Sequence, residues 1–324
     1  MKIVDLFCGA GGFSFGFAPY SSTSHLAIDI DPFVLETYRL NYPESVSLNS
    51  NLLDVHSSNI QRTLGARPDV IIASPPCEEF SRANPDSRST AAERVYGDGS
   101  ARLLLDTIRI IGDLEPDVFI IENVAALLAK GGKKIVQKEF ELVGISEVNF
   151  NLVRCHHHGN PSKRLRLFIS NLRLELPRRK APTVIEAIGD LPSLSIYSIL
   201  SPGQEVPNHE YRPIPKDKLK KVRRTRRGRG AKHFRVSRHR SLPNWVRLYP
   251  HRPATSVIGL SRYIHPYENR LLTVREHARL MSYPDSFIFT GPIESQYNQV
   301  GESVPPLISQ LIAQEVHKYL DTIE

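Results

Sequence analysis

The sequence predicts an α/β protein in which a parallel sheet presents a ligand site at one edge and a smaller, basic region accompanies it. Three observations carry this: short apolar runs that end in glycine turns or acids, helix-like segments between them, and one block of positive charge late in the chain. The first run, Ile3–Phe7, leads into Cys8-Gly9-Ala10-Gly11-Gly12, after which a new apolar segment begins at Phe13. Strand, glycine turn and helix is the order of a nucleotide-binding βαβ unit. A second strand, His25–Asp29, ends in an acid about 20 residues beyond the glycines, placed to accept hydrogen bonds from ribose hydroxyls. The spacing Gly-Ala-Gly-Gly departs from the GxGxxG of dinucleotide binders, and a plain tight turn would use the same residues. Pro32–Asn41 reads as a helix with proline at an early position.

Further strands are expected at Val70–Ala73, at Val118–Ile121 running into Glu122-Asn123-Val124, and at Leu165–Ile169, entered through Lys163 and Arg164. The segment from Pro306 to Tyr319 reads as a packing helix that closes the sheet. Ligands of open α/β sheets bind beyond the carboxyl ends of the strands, so Asp5, Asp29, Cys77 and Glu122 are expected to converge on one edge. Cys77 leaves its strand through Ser74-Pro75-Pro76, where two prolines fix φ and aim the thiol as a nucleophile.

With 324 residues, 40% of them hydrophobic, the chain can bury a full core and divide into two domains. Cys8, Cys77 and Cys155 are too few and too scattered for a disulfide framework, which leads us to expect a reducing, intracellular setting. No leader pattern opens the sequence, and no apolar run reaches the roughly 18 to 20 residues that span a bilayer. Between Lys216 and Arg240 stand thirteen Lys or Arg against one acid, Asp217, whereas the whole chain has a net charge of only +8. The basicity is therefore local. Such a block serves phosphate neutralisation, a solvated loop or a localisation signal, and composition alone does not separate these. His156-His157-His158 has no second cluster at metal-ligand spacing, so no metal is expected there. Cys8 and Cys155 read as packing residues.

Taken together, these segments resemble the cytosine-5 DNA methyltransferases of restriction-modification systems. The resemblance covers nearly the whole chain and rests on Asp5-Leu6-Phe7-x-Gly9-x-Gly11-Gly12, Pro76-Cys77-x-x-Phe80-Ser81, Glu122-Asn123-Val124, Arg164-x-Arg166 and Ala187-Ile188-Gly189-Asp190-Leu191-Pro192. It continues through Arg252-Pro253-Ala254-Thr255, Arg275-Glu276-x-Ala278-Arg279-Leu280-Met281-x-Tyr283-Pro284-Asp285 and Gln299-Val300-Gly301-x-x-Val304-Pro305. It implies a Rossmann-like, S-adenosylmethionine-dependent sheet over residues 1–180 and 272–324, a smaller irregular target-recognition domain over 181–271, and DNA in the cleft between them.

The resemblance also implies roles. Cys77 matches the nucleophile, Glu122 the carboxyl at ring nitrogen 3, Arg166 the guanidinium at the cytosine carbonyl, and Arg164 a support for the cysteine loop or a phosphate. S-adenosylmethionine is implied at Phe7, Gly9, Ala10, Gly11, Gly12 and Pro76, with Asp29 and Ile30 at ribose and adenine, Asp54 and Val55 at the adenine edge, and Leu103 lining the pocket. Asp5 orients the glycine loop, and Glu302 and Val304 lie near the methionine end. DNA contacts are implied at Ser81, Lys220, Lys221, Arg223, Arg224, Arg226, Arg227, Arg229, Lys232, Arg235, Arg252 and Thr255. The partners implied are double-stranded DNA and a cognate restriction endonuclease, for a monomer in the cytoplasm that associates with the nucleoid through DNA.

Three residues depart from the family pattern: Glu78 and Ser162 stand where it has Gln, and Glu302 stands where it has Asn. Two other readings stay open at this point. One is a related enzyme acting on structured RNA, although that branch places Thr at the position of Ser81 and carries a Cys-Phe-Thr tripeptide absent here. The other is a catalytically silent DNA-binding relative.

Overall fold

The computed structural model describes residues 1–21, 25–80, 90–194, 206–237 and 240–323. Its chain divides into two compact units, Met1–Arg154 with Leu165–Pro177 and Ile308–Glu324, and Cys155–Arg164 with Arg178–Leu307.

The first unit contains a seven-stranded sheet. Its strands are β1 (Ile3–Leu6), β2 (His25–Asp29), β3 (Val46–Asn49), β4 (Val70–Ala73), β5 (Val118–Asn123), β6 (Asn149–Arg154) and β7 (Leu165–Ser170), in the order β3-β2-β1-β4-β5-β7-β6. The helices of this unit are α1 (Ser14–Ser21), α2 (Pro32–Asn41), α3 (Ser57–Leu64), α4 (Ala91–Val95), α5 (Leu103–Leu114) and α6 (Gly132–Leu142).

Strands β1, β4 and β5 are buried along their whole length, as expected of central parallel strands covered on both faces. Asp31 begins α2 by accepting a hydrogen bond from Phe33 N, with Pro32 at the first helical position, and Gly65 ends α3 in the left-handed conformation. Leu104, Ile108 and Ile111 on one stripe of α5 join Val4, Leu6, Ile28, Ile71, Ile121 and Leu167 in the main apolar core.

The sheet is not wholly parallel: β7 runs antiparallel to both β5 and β6. Only ten residues join β6 to β7, too few for the helical crossover that a parallel pair needs. β3 and β6 were not anticipated from the sequence; Val46–Asn49 and Asn149–Arg154 are mixed in polarity, and β3 is partly exposed.

The second unit contains α7 (Val184–Ile188), α8 (Lys216–Arg224), β8 (Gly230–Ser237), β9 (Arg240–Arg247), β10 (Tyr263–Ile264), α9 (Val274–Leu280) and α10 (Ile293–Glu302). Helix α11 (Pro306–Ile323) begins here and has most of its length in the first unit. Strands β8 and β9 form an antiparallel pair, and β10 adds in parallel to β9. The basic block is therefore more regular than its composition suggests, with a helix and a strand inside it. Residues 272–307, expected from the sequence to join the cofactor domain, pack within this second unit, as do 155–164.

Buried arginines organise the unit. Arg247 donates to the carbonyls of Val222, Thr225, His265 and Glu268 and to Asn269 Oδ1, while Arg270 and Glu276 form an ion pair of 2.7 Å with both side chains almost fully buried. A buried guanidinium persists only where such acceptors replace its hydration.

Candidate active site

Strand register aligns the residues at the sheet edge. Leu6 lies opposite Ile28 and Ala73, and Ala73 lies opposite Ile121. The next residue on each strand is Phe7, Asp29, Ser74 and Glu122, so four chain exits stand in one row, with Cys77 three residues beyond Ser74. The sheet thus brings Asp29, Glu122 and the cysteine loop to a common edge.

The glycine turn between β1 and α1 follows from backbone geometry. Phe7 and Gly9 adopt φ of +60° and +52°, and Gly11 adopts +93°. A side chain at Gly11 would collide with the Tyr42 ring, whereas one at Gly9 would meet nothing within 4 Å. Gly11 is thus required by packing, while Gly9 opens the turn to close approach of a ligand.

Asp29 braces this turn: its Oδ2 accepts from Gly9 N at 2.8 Å and its Oδ1 accepts from Asp31 N at 3.0 Å. Burial raises its carboxyl above the usual range, against the lowering effect of those backbone donors. Ile30, next in sequence, is 63% exposed and offers bare apolar surface beside the carboxylate. Val55 is buried, Asp54 is exposed, and Leu103 is half-buried at the start of α5. Ala10 and Gly12 are buried within the turn, and Pro76 is half-buried ahead of Cys77.

Beneath the turn lies a polar cluster that was not anticipated from the sequence, apart from Asp5. Ser14 Oγ is 2.5 Å from Asp5 Oδ2, 3.0 Å from His25 Nε2 and 2.9 Å from Tyr38 Oη. Asp5 is fully buried, and burial pushes its carboxyl up to about 8. Its Oδ1 makes no hydrogen bond among the described residues. Burial also pushes the Cys8 thiol well above its ordinary value, in keeping with a packing role.

Cys77 is half-buried, and its carbonyl accepts from Phe80 N at 3.0 Å to close a single 3₁₀ turn over Glu78–Phe80. Asn123 Nδ2 donates to Pro75 O at 3.4 Å, tying the cysteine loop to the end of β5. One residue earlier on that strand, Glu122 is 5% exposed. Arg166 Nε lies 2.6 Å from Glu122 Oε1, a diagonal pair across β5 and β7, where Glu122 faces Phe168. The N–H is not aimed along that contact, so Oε1 makes no hydrogen bond among the described residues. Arg166 instead donates through Nη1 to Leu165 O.

Arg164 is the residue at which the resemblance implies a support for the cysteine loop or a phosphate. It is fully buried in the second unit and donates to Val257 O and Gly301 O at 2.8 Å and to Ser303 O at 2.9 Å. These donors hold the chain around Gly301. Ser162 is likewise buried, with its Oγ accepting from Asn160 Nδ2. Glu302 is exposed and Val304 is buried, both in the second unit.

The basic residues expected at DNA are nearly all exposed: Lys220, Lys221, Arg223 and Arg224 on or ending α8, then Arg226, Arg227, Arg229 and Arg235. Lys232 differs. Its Nζ sits 3.5 Å from the centroid of Trp245, and burial lowers its pKa. Arg252 is exposed over the Tyr249 ring, and Thr255 Oγ1 donates to Tyr263 Oη. Ser81 lies outside the described residues, as does the side chain of Glu78. Among the described residues, no group of three or more His, Cys, Asp or Glu could hold a metal ion, and no helix is long and apolar enough to cross a membrane.

A seven-stranded sheet with β7 antiparallel and a glycine turn after β1 has the architecture of the S-adenosylmethionine-dependent methyltransferases. Solved structures share it across 98% of this chain: a "putative DNA modification methyltransferase" from E. coli with TM-score 0.76 at 22% identity over 99% of its length, and DNMT2 of Spodoptera frugiperda with TM-score 0.64 at 16% identity over 99%. The family model of C-5 cytosine-specific DNA methylase matches residues 1–318. Among curated proteins, "Putative type II methyltransferase M.MJ0563P" of Methanocaldococcus jannaschii is 38% identical, covering 99% of this chain and 100% of its own length. Type II methyltransferase M1.HphI of Haemophilus parahaemolyticus is 32% identical over 98% and 87%. The chain belongs to the C-5 cytosine-specific DNA methylase family, and it is a DNA (cytosine-5) methyltransferase.

Proposed function

We propose that this enzyme methylates carbon 5 of a cytosine within a specific short sequence of double-stranded DNA, using S-adenosylmethionine and a transient bond from Cys77. The observation that carries the reading is the Glu122–Arg166 contact at 2.6 Å next to the Asn123–Pro75 tether, which joins a carboxyl, a guanidinium and the cysteine loop at one sheet edge.

The residues present fit the methyl donor. Gly9 leaves open space, Asp29 keeps unused lone pairs for ribose hydroxyls, and Ile30 offers exposed apolar surface to adenine. Phe7 and Gly11 shape the methionine end, Asp54 and Val55 lie toward the adenine edge, and Asp5 with Ser14 supports the turn from below. When bound, S-adenosylmethionine supplies an electrophilic methyl group.

A cytosine stacked in a duplex cannot offer carbon 6 to a thiol, so the base is turned out of the helix, at an unstacking cost of a few kcal/mol. The Cys77 thiolate then forms a sulfur–carbon 6 bond, and the ring electrons shift toward nitrogen 3, which Glu122 stabilises by protonation or hydrogen bonding. Arg166 steadies Glu122 and polarises the adjacent carbonyl oxygen. Carbon 5 becomes nucleophilic and takes the methyl group. Loss of its proton to a base and cleavage of the sulfur–carbon bond restore the aromatic ring.

Recognition falls to the second unit, whose exposed cations on α8 and in the following turn neutralise phosphates. The enzyme acts as a monomer, is held at the nucleoid by DNA, and shares its sequence with a cognate restriction endonuclease.

Incubation with S-adenosylmethionine and duplex containing 5-fluorocytosine tests the covalent step. A denaturation-resistant complex is expected with the wild type and not with Cys77→Ser; no complex with either would refute the reading. Bisulfite sequencing of plasmid from an expressing host would give the target, and methylation scattered over every cytosine would contradict specific recognition.

A further inference from the structure

One carboxylate near the nucleophile has no part in the reaction described above. Glu79, two residues after Cys77, turns its Oε1 toward the 3₁₀ turn Ser100–Arg102, accepting from Ala101 N at 3.0 Å and from Ser100 Oγ at 3.3 Å. That turn lacks a side-chain cap of its own, because the residue before it is Gly99. Helix α5 follows at once from Leu103. A distant carboxylate thus satisfies an orphan N–H where the backbone needs an acceptor.

Gly99 is a condition of this contact. A Cβ there would collide with Glu79 Oε1 and stand 2.6 Å from its carboxyl carbon. The backbone of Gly99, at φ −81° and ψ 177°, is one that any residue adopts, so its lack of a side chain serves the carboxylate and not the turn. Glu79 and Gly99 stand twenty positions apart in the sequence, and the contact holds them together. Phe80 adds an apolar anchor by burying its ring in the main core with Val95, Ala101 and Leu104.

We propose that Glu79 is a positioning residue that fixes the Cys77 turn to the start of α5 and so sets the aim of the thiol. The inference rests on Cys77 being the nucleophile. A clip of this kind is expected to act on the rate of sulfur–carbon bond formation more than on cofactor binding, since Ser100 and Ala101, from which Glu79 accepts, are not among the residues assigned to the cofactor.

The test is a double-mutant cycle read by the rate of covalent trapping on 5-fluorocytosine duplex, with S-adenosylmethionine affinity measured in parallel. Glu79→Ala is expected to slow trapping about 10- to 100-fold, the scale on which misplacing a reacting group acts, with cofactor affinity changed less than about twofold. Gly99→Ala, which leaves Glu79 in the sequence but takes its seat, should give the same loss. The double variant should be no slower than either single, because both remove the same interaction. Glu79→Gln keeps an amide oxygen for Ala101 N–H and should stay within about threefold of the wild type.

If wild type itself forms no adduct, the proposed reaction fails. If wild type reacts while Glu79→Ala and Gly99→Ala match it within about twofold, the clip alone is overturned. Multiplying losses in the double variant would also overturn it, as would a fall in cofactor affinity equal to the fall in rate.

Discussion

Arg166 Nε stands 2.6 Å from Glu122 Oε1, yet its N–H does not point at that oxygen, which makes no hydrogen bond among the described residues. The carboxyl is charge-compensated but not saturated, so it can still meet ring nitrogen 3. Glu122→Gln should cut single-turnover methyl transfer by about 10² to 10⁴ while preserving the fold. Arg166→Lys, which loses the planar fork, should cost about 10² to 10³. Arg166→Ala should also lower unfolding stability by about 3 kcal/mol, because it strands a carboxylate that is 5% exposed. Wild-type rates for these variants in rapid quench would remove both groups from the mechanism.

Arg164 behaves differently. Its loss leaves the carbonyls of Val257, Gly301 and Ser303 without their donors in a buried setting. Arg164→Met should destabilise the second unit by about 3 kcal/mol or more, visible as a lower melting temperature. Lysine should rescue little, since a single ammonium cannot span three carbonyls. A variant that melts like wild type but has lost activity would restore Arg164 to the chemistry.

The two glycines of the first turn should separate stability from ligand binding. Gly11→Ala drives a Cβ into the Tyr42 ring at φ +93° and should cost about 1 to 3 kcal/mol of stability. Gly9→Ala meets open space at φ +52°, so its stability cost should be about 1 kcal/mol. Its S-adenosylmethionine affinity should nevertheless fall at least tenfold in equilibrium dialysis. Unchanged affinity in Gly9→Ala would move the donor away from this turn.

Three buried groups set opposing pH dependences. Burial holds His25 and His277 down at about 4, from an ordinary 6.5, so their contribution is present above pH 6.5 and is lost as pH falls toward 4. Asp5 is pushed up to about 8 from 3.8, so its contribution is present at low pH and is lost as pH rises through that window. The two effects oppose each other below pH 6.5, and only that of Asp5 remains above it. Asp5→Asn should flatten the decline between pH 6.5 and 8 in denaturant titrations, and His277→Gln should flatten the acid limb. An unaltered profile in both would refute these assignments.

The exposed cations of α8 should act through phosphates. Replacing Lys220, Lys221, Arg223 and Arg224 by Ala should weaken duplex binding and reduce the slope of log affinity against log salt by about 0.9 for each phosphate no longer neutralised. A parallel loss of affinity at an unchanged slope would mean that these side chains do not touch the backbone.

Much of the sheet was legible because its central strands are continuous apolar runs with abrupt ends, and β1, β2, β4, β5 and β7 fall where those runs predict. β3 and β6 escaped notice since their residues are mixed in polarity and their pairing is supplied by neighbours. Cys77, Glu122 and Arg166 stood out through residue type and motif. Glu79 did not, because nothing in the sequence says which backbone its carboxylate meets twenty-two positions on.

The sequence by itself determined the α/β class, the glycine turn, the acid at the end of β2 and the chemistry available at positions 77, 122 and 166, since each depends on local pattern or residue type. Only the tertiary structure decided that Arg164 serves the interior, that Lys232 leans on Trp245, that Asp5 shares Ser14 with His25, and that β7 runs antiparallel. The physical reason is that burial and hydrogen-bond geometry belong to pairs of residues far apart in the chain. A guanidinium carries the same charge wherever it is written, and its surroundings decide whether it holds a fold or a substrate.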